Sequence, residues 1–274
     1  MLVDSHCHLD GRVFDGDRER VIARAREAGV AFMLAIGTGE GPPDLEAAVR
    51  IAEDHPRIAA TVGVHPHDAR KFDAATADRL DVLCGHQQVL AVGEIGLDYH
   101  YDNSPRATQK RVMIEQMEIA AARGKPIAIH TRDAWDDTLE LLRSHWAGTG
   151  LGGVMHCFTG SSEHALRCLD MGFHLSFSGV VTFKRSVELR ATARWVPEDR
   201  LLVETDAPYL TPVPYRKIRR NEPRFVIETA RLLASVRGVA LERIAESTTR
   251  NFRRLFGLDP RFQPTAGEAG ISAT

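Results

Sequence analysis

Short apolar, β-prone runs alternate with longer segments whose apolar positions recur at helical spacing, from one end of the chain nearly to the other. The runs predict strands at 1–6, 32–37, 58–64, 89–95, 126–130, 153–157, 174–178 and 201–204. The segments between them predict helices at 15–28, 43–54, 74–84, 105–123, 134–145, 163–171, 184–195 and 222–236. Gly29, Gly124 and Gly172 each close a helical segment and precede a strand, where a left-handed cap is wanted. Ser104-Pro105 reads as an N-cap followed by proline at the first helical position. Eight strand-then-helix units, with strands apolar enough for burial on both faces, predict an α/β fold: a parallel TIM (β/α)8 barrel. A doubly wound open sheet shares the alternation, because the pattern does not report closure. A further helix at 241–256 is expected outside the barrel. One domain is expected over 1–258, followed by a polar, aperiodic and flexible tail at 259–274.

Composition narrows the class. Of 274 residues, 43% are hydrophobic and 26% charged, which excludes a disordered chain. The 35 basic and 37 acidic residues give a net charge of −2, so any contact with nucleic acid must be local. The longest apolar stretch, 30–36, falls far short of the ~20 residues of a membrane helix. The N-terminal residues show no leader pattern. Cys7, Cys84, Cys157 and Cys168 are scattered without a CxxC pair and read as reduced thiols. The expectation is a cytoplasmic protein that makes no membrane contact, acting as a monomer.

A barrel demands functional side chains at the C-terminal ends of its strands, and they occur there repeatedly. The first strand ends in His6 and His8, two apart, so that both imidazoles can serve one ion. His65 follows the third strand, Glu94 interrupts the apolar fourth, His130 ends the fifth, His156 the sixth, and Glu204 and Asp206 the eighth. A buried acid such as Glu94 is costly unless ionic partners meet it. Four imidazoles (His6, His8, His130, His156) and two carboxylates (Glu94, Asp206) suffice for two divalent cations. Cys7 and Cys157 adjoin these residues but are expected to face away from them. His67 and His100 lie on predicted rim loops without a partner pattern.

The motifs Asp4-Ser5-His6-Cys7-His8-Leu9, Gly63-Val64-His65-Pro66-His67, Gly93-Glu94-Ile95-Gly96-Leu97-Asp98-Tyr99, His130-Thr131-Arg132-Asp133-Ala134, His156-Cys157-Phe158-Thr159-Gly160 and Glu204-Thr205-Asp206-Ala207-Pro208-Tyr209-Leu210 together resemble the TatD family of metal-dependent hydrolases. The resemblance implies a bi- or trinuclear metal site and hydrolysis of DNA phosphodiesters, with 3′–5′ exonuclease action and some activity on RNA. It makes His6, His8, Glu94 and Asp206 ligands of one cation, with Glu94 bridging to a second that His130 and His156 complete. His65 looks like the phosphate-contacting histidine of the family. The loop from Pro214 to Pro223 departs from the family pattern, being one residue longer and lacking its glycine. It carries Arg216, Lys217, Arg219 and Arg220, which either grip a nucleic-acid backbone or form a solvated charge run.

The expected chemistry is attack by a water that two divalent ions (Mg2+, Mn2+ or Zn2+) acidify. Asp206 takes its proton, and Glu94 joins the ions. Glu204 is expected to fix His6 or His8 from behind. Arg132 either meets a phosphate oxygen or pairs with Asp133 or Asp136, and Tyr209 either stacks on a terminal base or braces its loop. A small-molecule amidohydrolase or lactonase, or a D-aminoacyl-tRNA deacylase, would use the same donors.

Overall fold

The computed structural model describes residues 1–258, so the 259–274 tail lies outside the described residues. Eight parallel strands stand in sequence order: β1 (Leu2–Cys7), β2 (Val30–Ala35), β3 (Ile58–Val62), β4 (Val89–Asp98), β5 (Ile127–Arg132), β6 (Gly153–Met155), β7 (Phe173–Phe177) and β8 (Leu201–Val203). The last meets the first just beyond its own end. Cys7 bridges to Ala207, the His8 N–H donates to the Ala207 carbonyl at 2.8 Å, and the Asp206 N–H donates to the His6 carbonyl at 2.9 Å. The sheet is therefore a nearly closed barrel, and the open doubly wound alternative is excluded. Helices α1 (Arg18–Glu27), α2 (Ala47–Asp54), α3 (Ala74–Cys84), α4 (Arg106–Ala122), α5 (Trp135–His145), α6 (Ser162–Asp170), α7 (Val187–Trp195) and α8 (Val226–Arg237) alternate with the strands, and α9 (Leu241–Phe256) follows.

Two apolar shells build this architecture. Strand residues such as Ile127, Ile129, Leu175 and Phe177 face the helices in the larger core. Their alternates Ala128, Val154 and Leu202 join Val3, Leu34 and Ala59 in a second core with Phe252 and Phe256 of α9. The inner set mixes small side chains (Ala59, Ala91, Ala128) with large ones (Leu34, Leu90, Leu202), which together fill the narrow centre. The alternation then sends His130, His156 and Glu204 to the inner side at the strand tops. On β1 the pairing register shifts between Asp4 and Cys7, and this irregularity turns His6 and His8 into the mouth although Val3 faces the inner core.

Several boundaries differ from the sequence expectation. Helix α4 begins at Arg106 with Pro105 as its cap residue, and the Ser104 hydroxyl is spent elsewhere. It donates to the His67 carbonyl at 2.8 Å and accepts from the Arg70 N–H at 3.0 Å, pinning the turn after β3. Strands β6 and β8 are only three residues long, so His156, Glu204 and Asp206 sit on the segments that leave them. Strand β4 instead continues to Asp98, because Gln109 satisfies its end: the Asp98 N–H donates to Gln109 Oε1 at 2.8 Å and Gln109 Nε2 donates back to the Asp98 carbonyl at 3.1 Å. Gly29, Gly124 and Gly172 take the positive φ expected of them. No helix is long and apolar enough to cross a membrane among the described residues.

Candidate metal centre

Glu94 sits at the floor of the barrel mouth, 2% exposed, with imidazoles arranged on both of its oxygens. Oε2 lies 3.4 Å from His6 Nε2 and 3.6 Å from His8 Nε2. Oε1 lies 2.7 Å from His130 Nδ1, 2.8 Å from His156 Nε2 and 3.6 Å from His65 Nε2. Asp206 closes the first side, its Oδ1 3.4 Å from His8 Nε2 and 3.8 Å from His6 Nε2. All six residues taken as ligands from the sequence are thus brought together.

Three overlapping donor groups result, each with its ligand atoms within 4.8 Å: His6, His8 and Glu94; His6, His156 and Asp206; His65, Glu94 and His130. The last places His65 beside His130 among the donors, whereas the sequence put it only at a phosphate. The set suits divalent cations with a taste for nitrogen and oxygen. The Nε2 atoms of His6 and His8 lie 3.3 Å apart, close enough to serve one ion when the proton between them is displaced. His6 Nδ1 is buried and has no hydrogen-bond partner among the described residues.

The electrostatics agree. Burial alone would raise the Glu94 carboxyl, but His156, His65 and His6, with the bond from His130, hold it well below the usual range. Burial would likewise lower the His8 imidazole, yet Asp206 and Glu94 push it up to about 9. Contacts with the carboxylates raise His8, His130 and His156 while burial lowers His6 and His65, so the carboxylates stay ionised beside three imidazoles that hold protons, and arriving cations would displace those protons. Burial pushes the Asp4 carboxyl, behind His6, up to about 8 against the donors around it. It accepts from the Thr205 N–H at 2.9 Å and the Thr205 hydroxyl at 2.5 Å, tying β1 to the segment that carries Asp206. Asp206 itself has a φ of +55° and Cys157 one of +42°, strained backbone placed at the site.

Two expectations are corrected here. Glu204 braces His156 rather than His6 or His8: its Oε1 lies 3.2 Å from His156 Nδ1 and accepts the Cys157 N–H at 2.7 Å. The short β6 ends before Cys157, whose left-handed backbone lets it line the cavity instead of facing away. In the 214–223 loop the exposed Arg216 lies 3.9 Å over the Phe183 ring, and the half-buried Arg220 bonds Asp17 and Glu222. Arg219 faces the cavity. Arg132 makes no ion pair with Asp133 or Asp136 among the described residues and lies 4.8 Å over the Tyr101 ring.

The sequence reading gave no role to Asp98 and no partner to His67. Asp98 Oδ2 lies 3.1 Å from His130 Nε2 and 3.0 Å from His67 Nε2, while its Oδ1 accepts the N–H groups of His100 and Tyr101. Its position four residues beyond Glu94 on one strand, with Gly96 between, was the available signal, since alternate strand residues share a face. Burial would raise this carboxyl, but the bonds from His130, the Tyr101 N–H and His67 hold it well below the usual range.

A sequence model of the family described as TatD related DNase matches residues 3–257. The chain belongs to the TatD family. Within it, an uncharacterized metal-dependent hydrolase of Bacillus subtilis is 41% identical over 94% of this chain and 100% of its own length. A TatD protein of Klebsiella pneumoniae named as a 3′-5′ ssDNA/RNA exonuclease is 38% identical over 94% and 98%. The crystal structure of a TatD homolog from Escherichia coli superposes with a TM-score of 0.87 at 28% identity, covering 94% of this chain and 98% of that one. As a TatD-family protein the chain is a metal-dependent hydrolase, and its histidine and carboxylate cluster is the candidate metal site.

Proposed function

We propose that this hydrolase cleaves phosphodiester bonds in single-stranded DNA, and in RNA, removing nucleotides from a 3′ end with the help of two divalent cations. The observation that carries the proposal is the division of Glu94. One oxygen serves His6 and His8, the other His130 and His156, as a carboxylate shared by two ions requires. His6, His8, Glu94 and Asp206 would hold one ion, and Glu94, His130 and His156 the other, with His65 beside them. Zn2+ suits such imidazole-rich donors best, Mn2+ accepts the same mixture, and the oxygen-seeking Mg2+ suits them less. Bound there, the pair supplies Lewis acidity toward a phosphoryl oxygen and an acidified water.

The chain's own residues do the rest. Asp206, kept ionised by His8, His156 and His6 against the effect of burial, orients the attacking water and accepts its proton. Glu204 holds His156 in place, and Asp98 does the same for His130. Arg132, which has no acidic partner among the described residues, meets a non-bridging phosphate oxygen. The cavity of about 1630 Å³ is open, and Arg132 and Arg219 on its wall offer cations to a phosphate, whereas Asp10 and Asp54 line the arm beside α1 and α2. A small amide or lactone would be expected in a tighter, more apolar pocket of roughly 300–1,000 Å³.

The test offers the purified protein, with Mn2+, a 5′-labelled single-stranded oligonucleotide beside a panel of N-acyl amides, lactones and D-aminoacyl-tRNA. A ladder of shortened DNA that EDTA abolishes is the expected result. Intact DNA with turnover of an amide, lactone or aminoacyl ester would overturn the proposal.

A further inference from the structure

Two tyrosines on the cavity wall are far more exposed than packing explains: Tyr101 at 55% and Tyr209 at 60%. Neither hydroxyl has a hydrogen-bond partner among the described residues. Both backbones, in contrast, are fixed to the donor cluster. The Tyr101 N–H donates to Asp98 Oδ1 at 2.9 Å. The Tyr209 N–H donates to the Asp206 carbonyl at 2.8 Å, and the buried Asn221 donates to the Tyr209 carbonyl at 2.6 Å. Each ring also leans on an imidazole of the mouth, Tyr209 on His8 at 5.9 Å between centroids and Tyr101 on His67 at 5.4 Å. His8 and His67 are the two ends of one chain of polar contacts, running from His8 through Glu94, His130 and Asp98 to His67. The rings therefore flank the place where a scissile phosphate would lie.

We infer that Tyr209 and the Tyr101–Arg132 pair are two stacking subsites for the nucleobases on either side of the cleaved linkage. This rests on the phosphodiesterase reading above. Every base has a π face, so such platforms accept any sequence but require bases that are unpaired and can splay apart. At Tyr101 the guanidinium of Arg132 lies over the ring, which puts an aromatic surface and a phosphate-binding cation in one place. The rest of the cavity gives a polyanion little alternative path. Beside α1 and α2, Arg12, Arg18 and Arg50 are each ion-paired with a carboxylate, and Asp10 and Asp54 line the same arm. Phosphates are repelled there, and the strand is left to cross the mouth between the tyrosines.

The experiment measures kcat and KM of the Mn2+-loaded full chain on two single-stranded oligonucleotides of equal length, one natural and one with tetrahydrofuran abasic residues at its last three positions. Anisotropy of the same dye-labelled oligonucleotides in EDTA gives their Kd without cleavage. For Tyr209→Ala and for Tyr101→Ala, KM and Kd on the natural oligonucleotide should rise about tenfold, with kcat within about twofold. On the abasic oligonucleotide the same variants should match the parent protein, and Tyr209→Trp and Tyr101→Phe should restore tight binding to the natural one. Equal losses on both oligonucleotides, or no loss on either, overturn the inference while the phosphodiesterase reading stands. Failure of the parent protein to bind or cut either oligonucleotide overturns that reading, and the inference with it.

Discussion

Asp98 offers the sharpest perturbation of the site, because replacing it with asparagine changes hydrogen-bond polarity with little change of shape. The carboxylate accepts four bonds: two from the backbone N–H groups of His100 and Tyr101 on Oδ1, and two from the Nε2 atoms of His130 and His67 on Oδ2. In Asp98→Asn the amide oxygen can keep the backbone pair, so the turn after β4 survives. The amide NH2 then faces both imidazoles and needs acceptors. A neutral His130 can comply only by moving its proton from Nε2 to Nδ1. Nδ1 is the atom 2.7 Å from Glu94, on the side where a cation would bind. The ligand atom is blocked, although no residue taken as a ligand has been touched. Loss of such a partner typically lowers metal affinity 10- to 100-fold, equivalent to about 1.4–2.7 kcal/mol. Competition for Zn2+ against a fluorescent chelator reads this directly, and circular dichroism of the metal-free variant checks that it is folded. A folded variant holding Zn2+ within about twofold of the parent protein would refute the reasoning.

Other perturbations test separate parts of the account. Glu94→Gln should abolish tight binding of both ions, read as metal-to-protein stoichiometry by plasma emission spectroscopy, and should lower hydrolysis by at least about 10³-fold. Gly96→Ala should cost roughly 2–3 kcal/mol in urea unfolding, because a Cβ there would lie 1.9 Å from the His130 carbonyl oxygen on a backbone with φ of +145°. His174 is buried on β7 with neither ring nitrogen bonded among the described residues, and burial, with Arg200 and Arg254 nearby, lowers its imidazole to about 4. Its unfolded form binds the proton first, so this contribution to stability is present near neutrality and is lost as pH falls from the ordinary value of about 6.5 toward about 4. His174→Leu should therefore lose about 2 kcal/mol less than the parent protein between pH 7 and about pH 4.5, measured by urea midpoints in EDTA. Equal losses would show that His174 is not the titrating group.

The alternation of strand and helix was legible along the chain because burial on both faces of a parallel sheet leaves continuous apolar runs, and because each helix carries its own period. The candidate ligand residues were legible for a related reason: a histidine or glutamate at the end of such a run is too costly to place there without a partner. Closure of the barrel was not legible, since it depends on Cys7 and Ala207, 200 positions apart, meeting at the mouth. Nor was the division of labour behind the ligands. Whether Glu204 braces His8 or His156 does not follow from strand adjacency, since β8 lies beside β7 and β1, and the shortness of β6 and β8 lets one carboxylate reach past β7 to both His156 and the Cys157 N–H. Asp98, His67 and His65 likewise took their places only when the third, fourth and fifth strands lay side by side. Local pattern reports what a residue costs to bury, while the identity of its partner is a matter of tertiary contact.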